Sequence, residues 1–565
     1  MSCPTSIGRR RVAALCLILL AGLGSGSGAS GQPAPDTVIY NGRVVTVDEA
    51  FSYAQAVAIT DGVFTAVGSD QAVRSLAGPS TVEIDVAGRT VLPGLMDNHL
   101  HDAGGGSGVD LSRARSLDEV LDAIAARVRE REPGALVRTN RDWHEAQLAE
   151  QRLPLRRDLD SVAPDNPVVV VRGGHEYVLN SAALARWGID ESTPEPAGGQ
   201  ISRYPDGTLN GELIDRARDL VELPAPQEQD LDARIEARIA QYDRLHAAGL
   251  TSIRHPSGDL QEWELLKEMR RRGVLSMRIT HLLRPRGAAG AQDVRRRLEA
   301  WGVAPGEGDE WLKNGGIKIG VDGGFEGGWM REPYAEPWGA SGTYFGINTV
   351  PREHYVPVVR ELNRLGWRVA THAVGDAAID LVLDAYEAAD SERSIVGRRW
   401  SIEHGFLPVP DQFPRMRDLG VLISAQNHLY VAGPSLEKYW GRARAARTTP
   451  VRTYIDEGIE ISGGTDSSVV PYPPLWVIYH FVTRDTISGG VFGPDQAIAR
   501  EEAVRLLTIN NAYLTFEEDI KGSIEPGKLA DLVVISDDIM SCPVECIRNA
   551  EVTLTMVGGR IVYER

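Results

Sequence analysis

Two histidines, His99 and His101, stand two residues apart near the end of the stretch V-L-P-G-L-M-D-N-H-L-H-D, residues 91–102. In a β-strand, residues i and i+2 point to the same face, so both imidazoles can turn toward one cation; a helix would splay them apart. On their own such a pair is as often a satisfied core or surface feature as a ligand pair. The partners that would decide it lie far along the chain. Lys318 sits in G-I-K-I-G-V-D-G, His372 in V-A-T-H-A, His404 in S-I-E-H-G and Asp466 in G-G-T-D. Singly, each has a plain structural role available, in the core for the histidines and as a helix cap for Asp466.

These residues share a position in a larger pattern. Eight strand-like segments, at 94–101, 250–255, 276–283, 316–323, 367–373, 400–405, 421–426 and 459–466, alternate with stretches of helical period such as L-Q-E-W-E-L-L-K-E-M-R-R-R-G. That alternation predicts a (β/α)8 barrel of the TIM type, in which functional side chains gather at the C-terminal ends of the strands. His99 and His101 end the first predicted strand, Lys318 lies in the fourth, and His372, His404 and Asp466 end the fifth, sixth and eighth. All six can therefore meet around one axial point.

The remaining chain supports an α/β protein with added parts. Short β runs with Asn-Gly and Asp-Gly turns open it, and A-D-L-V-V-I-S and E-V-T-L-T-M-V-G-G-R-I-V-Y close it. The two ends are expected to complete one β-sandwich, from 32–93 and 515–565, around a barrel spanning 94–514. About 150 residues separate the first two barrel strands, too many for an ordinary connection. They predict an inserted α/β subdomain at about 107–245, over the mouth of the barrel.

Residues 1–31 read as a signal peptide: Arg9, Arg10 and Arg11, an apolar run from Val12 to Leu23 too short to cross a bilayer, then small residues, with cleavage expected near Ala29. The protein is accordingly expected to be exported, periplasmic or secreted. Cys3 and Cys16 leave with the leader, and Cys542 and Cys546 remain as an expected disulfide. The net charge of −18, or −21 without the three leader arginines, argues against nucleic acid or an anionic membrane as partner of the mature form. The oligomeric state is left open, a homodimer included.

The motifs V-L-P-G-L-M-D-N-H-L-H, G-I-K-I-G-V-D-G, V-A-T-H-A-V-G-D, S-I-E-H-G, G-G-T-D-S-S-V and G-S-I-E-P-G-K-L-A-D-L-V-V-I resemble the amidohydrolase superfamily. Within it they resemble the YtcJ-like, or amidohydrolase 3, branch with its N-substituted formamide deformylases. The resemblance runs from about residue 36 to the C-terminus. It implies a divalent metal centre, with two zinc ions the expected occupants and manganese, iron or nickel as alternatives. His99, His101 and Asp466 would hold one ion and His372 and His404 the second. Lys318 would bridge both as a carbamate formed with carbon dioxide, because an ammonium has no lone pair to donate. The implied reaction is hydrolysis of a non-peptide C–N bond in a small amide or formamide by a metal-bound hydroxide, with Asp466 as both ligand and catalytic proton shuttle. A lactone or ester hydrolase using the same site is the alternative, followed by a non-catalytic metal-binding protein.

His175, in G-G-H-E-Y, matches a pocket histidine of that branch. Trp143, Trp329 and Tyr334 are further substrate-binding candidates. The segment after Lys318 departs from the branch in being bulkier, with Phe325, Glu326, Trp329 and Met330. His255, His281 and His428 fall near strand ends with no assigned partner, and His480 reads as packed in an apolar helix.

Overall fold

The computed structural model describes residues 33–224, 230–288 and 290–565, so the predicted leader, with Cys3 and Cys16, lies outside the described residues. Its centre is an eight-stranded sheet: β1 (Leu95–Asp97), β2 (Leu250–Gly258), β3 (Arg278–Leu283), β4 (Leu312–Gly320), β5 (Val369–Ala373), β6 (Ser401–His404), β7 (Leu422–Gln426) and β8 (Ile461–Gly464). Each strand pairs in parallel with the next in sequence. β-branched residues such as Ile279, Ile317, Val369, Ile402, Ile423 and Ile461 fill these runs and are buried in one large cluster with the surrounding helices. That is the expected arrangement for a parallel sheet covered by helices.

Outer helices carry the amphipathic pattern that lets them cover the barrel. In the helix Leu260–Arg271, the Asp259 side chain accepts from Glu262 N, Trp263, Leu265, Leu266 and Met269 are buried, and Arg270 and Arg271 occupy the last turn. Cap and terminal charges both favour the helix, and the cap fixes its first turn, which carries Glu262.

The seam between β8 and β1 decides where the first histidines go. Asn98 N donates to Gly463 O at 3.2 Å, and Asp466 N donates to His99 O at 2.7 Å. The Asp97 carboxylate accepts from Thr465 Oγ1 at 2.6 Å and from His99 N at 2.9 Å. β1 therefore ends at Asp97, four residues before the predicted end, and His99 and His101 lie in the segment beyond it. Same-face strand geometry does not hold them; stitching to the end of β8 does. Gly464 has no room for a side chain, since a Cβ would lie 2.2 Å from Asn98 Oδ1 and 2.3 Å from Asp97 Oδ1.

Both chain ends build the flanking sheets. Thr90–Pro93 pairs antiparallel with Leu532–Ile535 in a six-stranded sheet, and Thr37–Tyr40 lies in a four-stranded one. Ile39, Val57, Phe64, Val91, Leu532 and Met556 share the core between them. Between β1 and β2 a separate five-stranded sheet runs in the order Gly199–Arg203, Leu209–Asp215, Glu176–Leu179, Val168–Arg172, Val137–Arg138. The helix Leu231–Ala247, assigned above to the insertion, instead buries Tyr242 and Leu245 in the barrel cluster with Leu95 and Leu250. Cys542 and Cys546 form a disulfide. No helix among the described residues is long and apolar enough to cross a membrane.

Candidate metal centre and active site

His99, His101, Lys318, His372, His404 and Asp466 all line one cleft at the C-terminal end of the barrel. Donor atoms of His99, His404 and Asp466 lie within 4.8 Å of one another. Asp466 Oδ1 stands 3.0 Å from His101 Nε2 and 3.5 Å from His99 Nε2, and Lys318 Nζ stands 3.4 Å from His99 Nε2. His372 packs edge-on against His404, ring centroids 4.6 Å apart, and its Nε2 faces Gly323 O at 3.0 Å. A ring that donates Nε2–H to that carbonyl keeps its lone pair on Nδ1.

The imidazoles are oriented from behind. His99 Nδ1 lies 2.6 Å from Glu403 Oε2, and Arg254 clamps that carboxylate through two nitrogens at 2.9 and 3.0 Å. His404 Nδ1 lies 2.7 Å from Gln426 Oε1. Each contact fixes one ring nitrogen as the donor and leaves Nε2 bare, as ligating histidines require. His404 and Asp466 have φ of 76° and 62°, a left-handed conformation that non-glycine residues rarely adopt and that is found disproportionately at functional sites.

The electrostatics suit a cation. Burial, then the nearby Lys318, pushes the His99 imidazolium down to about 3, so the ring is neutral at neutral pH. Burial also holds His404 and His372 well below the ordinary imidazole value; the two rings face each other, and His372 faces His175 as well. Burial pushes the Asp466 carboxyl up, but His99, His101 and His428 outweigh it and hold the group well below the usual carboxylate range. Burial, with Arg284 and Arg254 and against the pull of Glu403, pushes Lys318 down to about 7. Neutral imidazoles, an ionised carboxylate and an amine able to lose its proton form a donor set that fits divalent metal, and Asp466 Oδ1 is buried with no hydrogen-bond partner among the described residues.

Beside these donors is a narrow recess lined by Phe325, Phe406, Val374 and Val469 together with His175, His404, His428 and Asp466. His175 stacks on His372 at 5.6 Å, and its Nδ1 lies 2.6 Å from Asp215 Oδ1. His428 Nε2 lies 3.1 Å from Asp466 Oδ2. The wall is braced by a buried charge cluster: Arg172 Nε faces Glu145 Oε2 at 3.2 Å, and Arg172 also bonds Glu176 and Glu326. It ties the inserted sheet to the loop after β4.

Three expectations about substrate residues are corrected. Trp143 is wholly buried in the core of the insertion and donates Nε1–H to Val171 O at 2.8 Å. Tyr334 is buried and donates to Gly328 O at 2.9 Å, bracing the loop from behind. Trp329 packs against the barrel's hydrophobic cluster and lines neither the cleft nor the recess. The bulk of that loop reaches the recess through Phe325 instead. Sequence reasoning missed Glu403, Asp97, Gln426 and Asp215, and left His428 without a partner. Glu403 directly precedes His404 in S-I-E-H-G, and only its burial reveals a role.

An eight-stranded parallel barrel with this histidine, lysine and aspartate cleft defines a metal-dependent hydrolase of the amidohydrolase superfamily. The amidohydrolase family model matches residues 82–563, and the chain belongs to that family. It is thus an enzyme, a hydrolase. It is 32% identical over 548 residues to the N-substituted formamide deformylase of Arthrobacter pascens, covering 94% of this chain and 98% of that one. It is 28% identical over 540 residues to YtcJ of Bacillus subtilis (strain 168), covering 93% and 99%. In fold it is similar to an uncharacterised metal-dependent hydrolase from Pyrococcus horikoshii, with a TM-score of 0.64 at 22% identity over 90% of this chain and 99% of that one.

Proposed function

We propose that this enzyme is an exported amidohydrolase that cleaves a small N-substituted formamide or N-acyl amide. The observation that carries the reading is the convergence of six donors from five strand ends on one cleft beside an apolar recess. His99, His101 and Asp466 would hold one divalent cation, His372 and His404 a second, and Lys318, once carbamylated, would reach both. Cations bound there, for which zinc suits the donors, would activate water and polarise the substrate carbonyl.

The chain's own groups supply the rest. Asp466 accepts a proton from the attacking water and returns it to the leaving nitrogen, while His428, 3.1 Å from Oδ2, holds that carboxylate in line. His175, oriented by Asp215, would meet the substrate's amide. Phe325, Phe406, Val374 and Val469 exclude water and accept the apolar substituent on nitrogen. The resemblance to a formamide deformylase over nearly the whole chain supports this choice of bond.

Metal-loaded enzyme given a panel of N-substituted formamides, N-acyl amino acids and lactones tests it. Release of amine from the formamides or N-acyl compounds is expected, and turnover of lactones alone would overturn the reading. The Cys542–Cys546 disulfide supports export, since such bonds persist in oxidising compartments. N-terminal sequencing of protein recovered outside the cytoplasm should begin near Ser30; recovery of an intact Met1 would contradict it.

A further inference from the structure

His255, Glu262 and His281 lie outside the donor set above, and their ligand atoms fall within 4.8 Å of one another. We propose that they form a separate divalent-cation site beside the catalytic cleft. His255 is in β2, His281 in β3, and Glu262 in the first turn of the helix Leu260–Arg271, so the site clamps a strand, its neighbour and the helix that follows. His255 Nε2 stands 3.1 Å from Glu262 Oε2 and His281 Nε2 stands 3.8 Å from the same oxygen.

The two rings lie nearly parallel, 11° apart with centroids at 5.5 Å, and face one carboxylate oxygen. His255 at 3.1 Å can donate a hydrogen bond to that oxygen, whereas His281 at 3.8 Å is too far to do so; His281 has 0% exposure and no hydrogen bond to either ring nitrogen among the described residues. A cation would engage both rings and the carboxylate together.

The surroundings are those of a ligand set. His255 Nδ1 lies 3.1 Å from Leu100 O, so this nitrogen carries the proton when the ring is neutral and Nε2 is bare toward Glu262. Arg238 Nη2 donates to Glu262 Oε1 at 2.6 Å, fixing the carboxylate and leaving Oε2 to the histidines. Two imidazoles and one carboxylate suit zinc or a neighbouring transition ion and leave a coordination position open. His255 and Glu262 line the large cleft, which supplies a path of entry. His101 is near, its ring centroid 5.9 Å from that of His255.

The test is cobalt stoichiometry of the whole mature protein, stripped by chelator, reloaded with cobalt alone and read by elemental analysis and visible ligand-field absorption. His281→Ala and Glu262→Gln should each lower bound cobalt by one equivalent per chain, in otherwise wild-type protein and in an Asp466→Ala background. Two variants are used so that a folding failure in one, seen by circular dichroism, leaves the other to decide. Unchanged cobalt in the folded variants would overturn the proposal, as would complete loss of cobalt on Asp466→Ala alone. Because the readout is a difference tied to His281, it is separate from whether the catalytic reading is right.

Discussion

At the scale of single residues, the site depends as much on what stands behind the donors as on the donors. Glu403 is fully buried between His99 and Arg254. Burial pushes its carboxyl up, but Arg254 and His99 outweigh this and hold it well below the usual carboxylate range. Glu403→Gln should weaken metal affinity about 10- to 100-fold, read by competition with a chromogenic chelator, because the His99 tautomer is no longer fixed by a charge. It should also cost about 3 to 5 kcal/mol in denaturant unfolding of the metal-free protein, since Arg254 is left buried beside a neutral amide. Phe325 packs against Phe406, His428 and Trp440 at the wall of the recess. Phe325→Leu should shift the ratio of kcat/KM for bulky over small N-substituents toward the bulky by about 10-fold, measured on a graded series of formamides. An unchanged ratio would remove the recess from substrate selection.

At the scale of elements, the seam between β1 and β8 delivers Asp466 to His99 and His101. Gly464→Ala would press a methyl group into Asn98 and Asp97. The expected result is a loss of about 1 to 3 kcal/mol in denaturant unfolding together with a fall in bound metal, while the barrel's circular dichroism stays the same. A second element-scale effect concerns pH. Burial pushes the Glu517 carboxyl up, but Lys521, 2.9 Å away, and Lys313 in β4 outweigh it and hold the group below its ordinary value. A depressed carboxylate stabilises the fold above its unfolded pKa, and that contribution is lost as pH falls through the folded value. Wild-type protein should therefore lose more unfolding free energy between about pH 5 and about pH 3 than Glu517→Gln, as urea titrations at each pH would read.

At the scale of the molecule, the barrel was readable from sequence because each strand is a short apolar run and several end in a residue that an apolar run does not otherwise need. Lys318, His372 and His404 stand out for that reason. The two histidines after β1 were found by spacing, although the geometry assumed for them was wrong: they lie past the strand and are held by contacts to residues more than 360 positions away. No linear pattern carries such a pairing, and Glu403 and Gln426 escaped notice for the same reason. Trp143 and Tyr334 misled because a large aromatic near a motif reads alike whether it faces a pocket or the core, and only the packing of the insertion around Trp143 and of the loop after β4 around Tyr334 separates the two. That insertion is joined to the barrel through Arg172, so Arg172→Met should leave three buried carboxylates without their cation and lower the melting temperature of the whole chain.

A hydrolytic metal centre built on Lys318 is tested by metal per chain alongside amide hydrolysis for wild type and Lys318→Ala. The variant should lose bound metal and rate together, with partial return of both on adding a short carboxylic acid. A Lys318→Ala protein that kept its full metal content and its wild-type rate would contradict it.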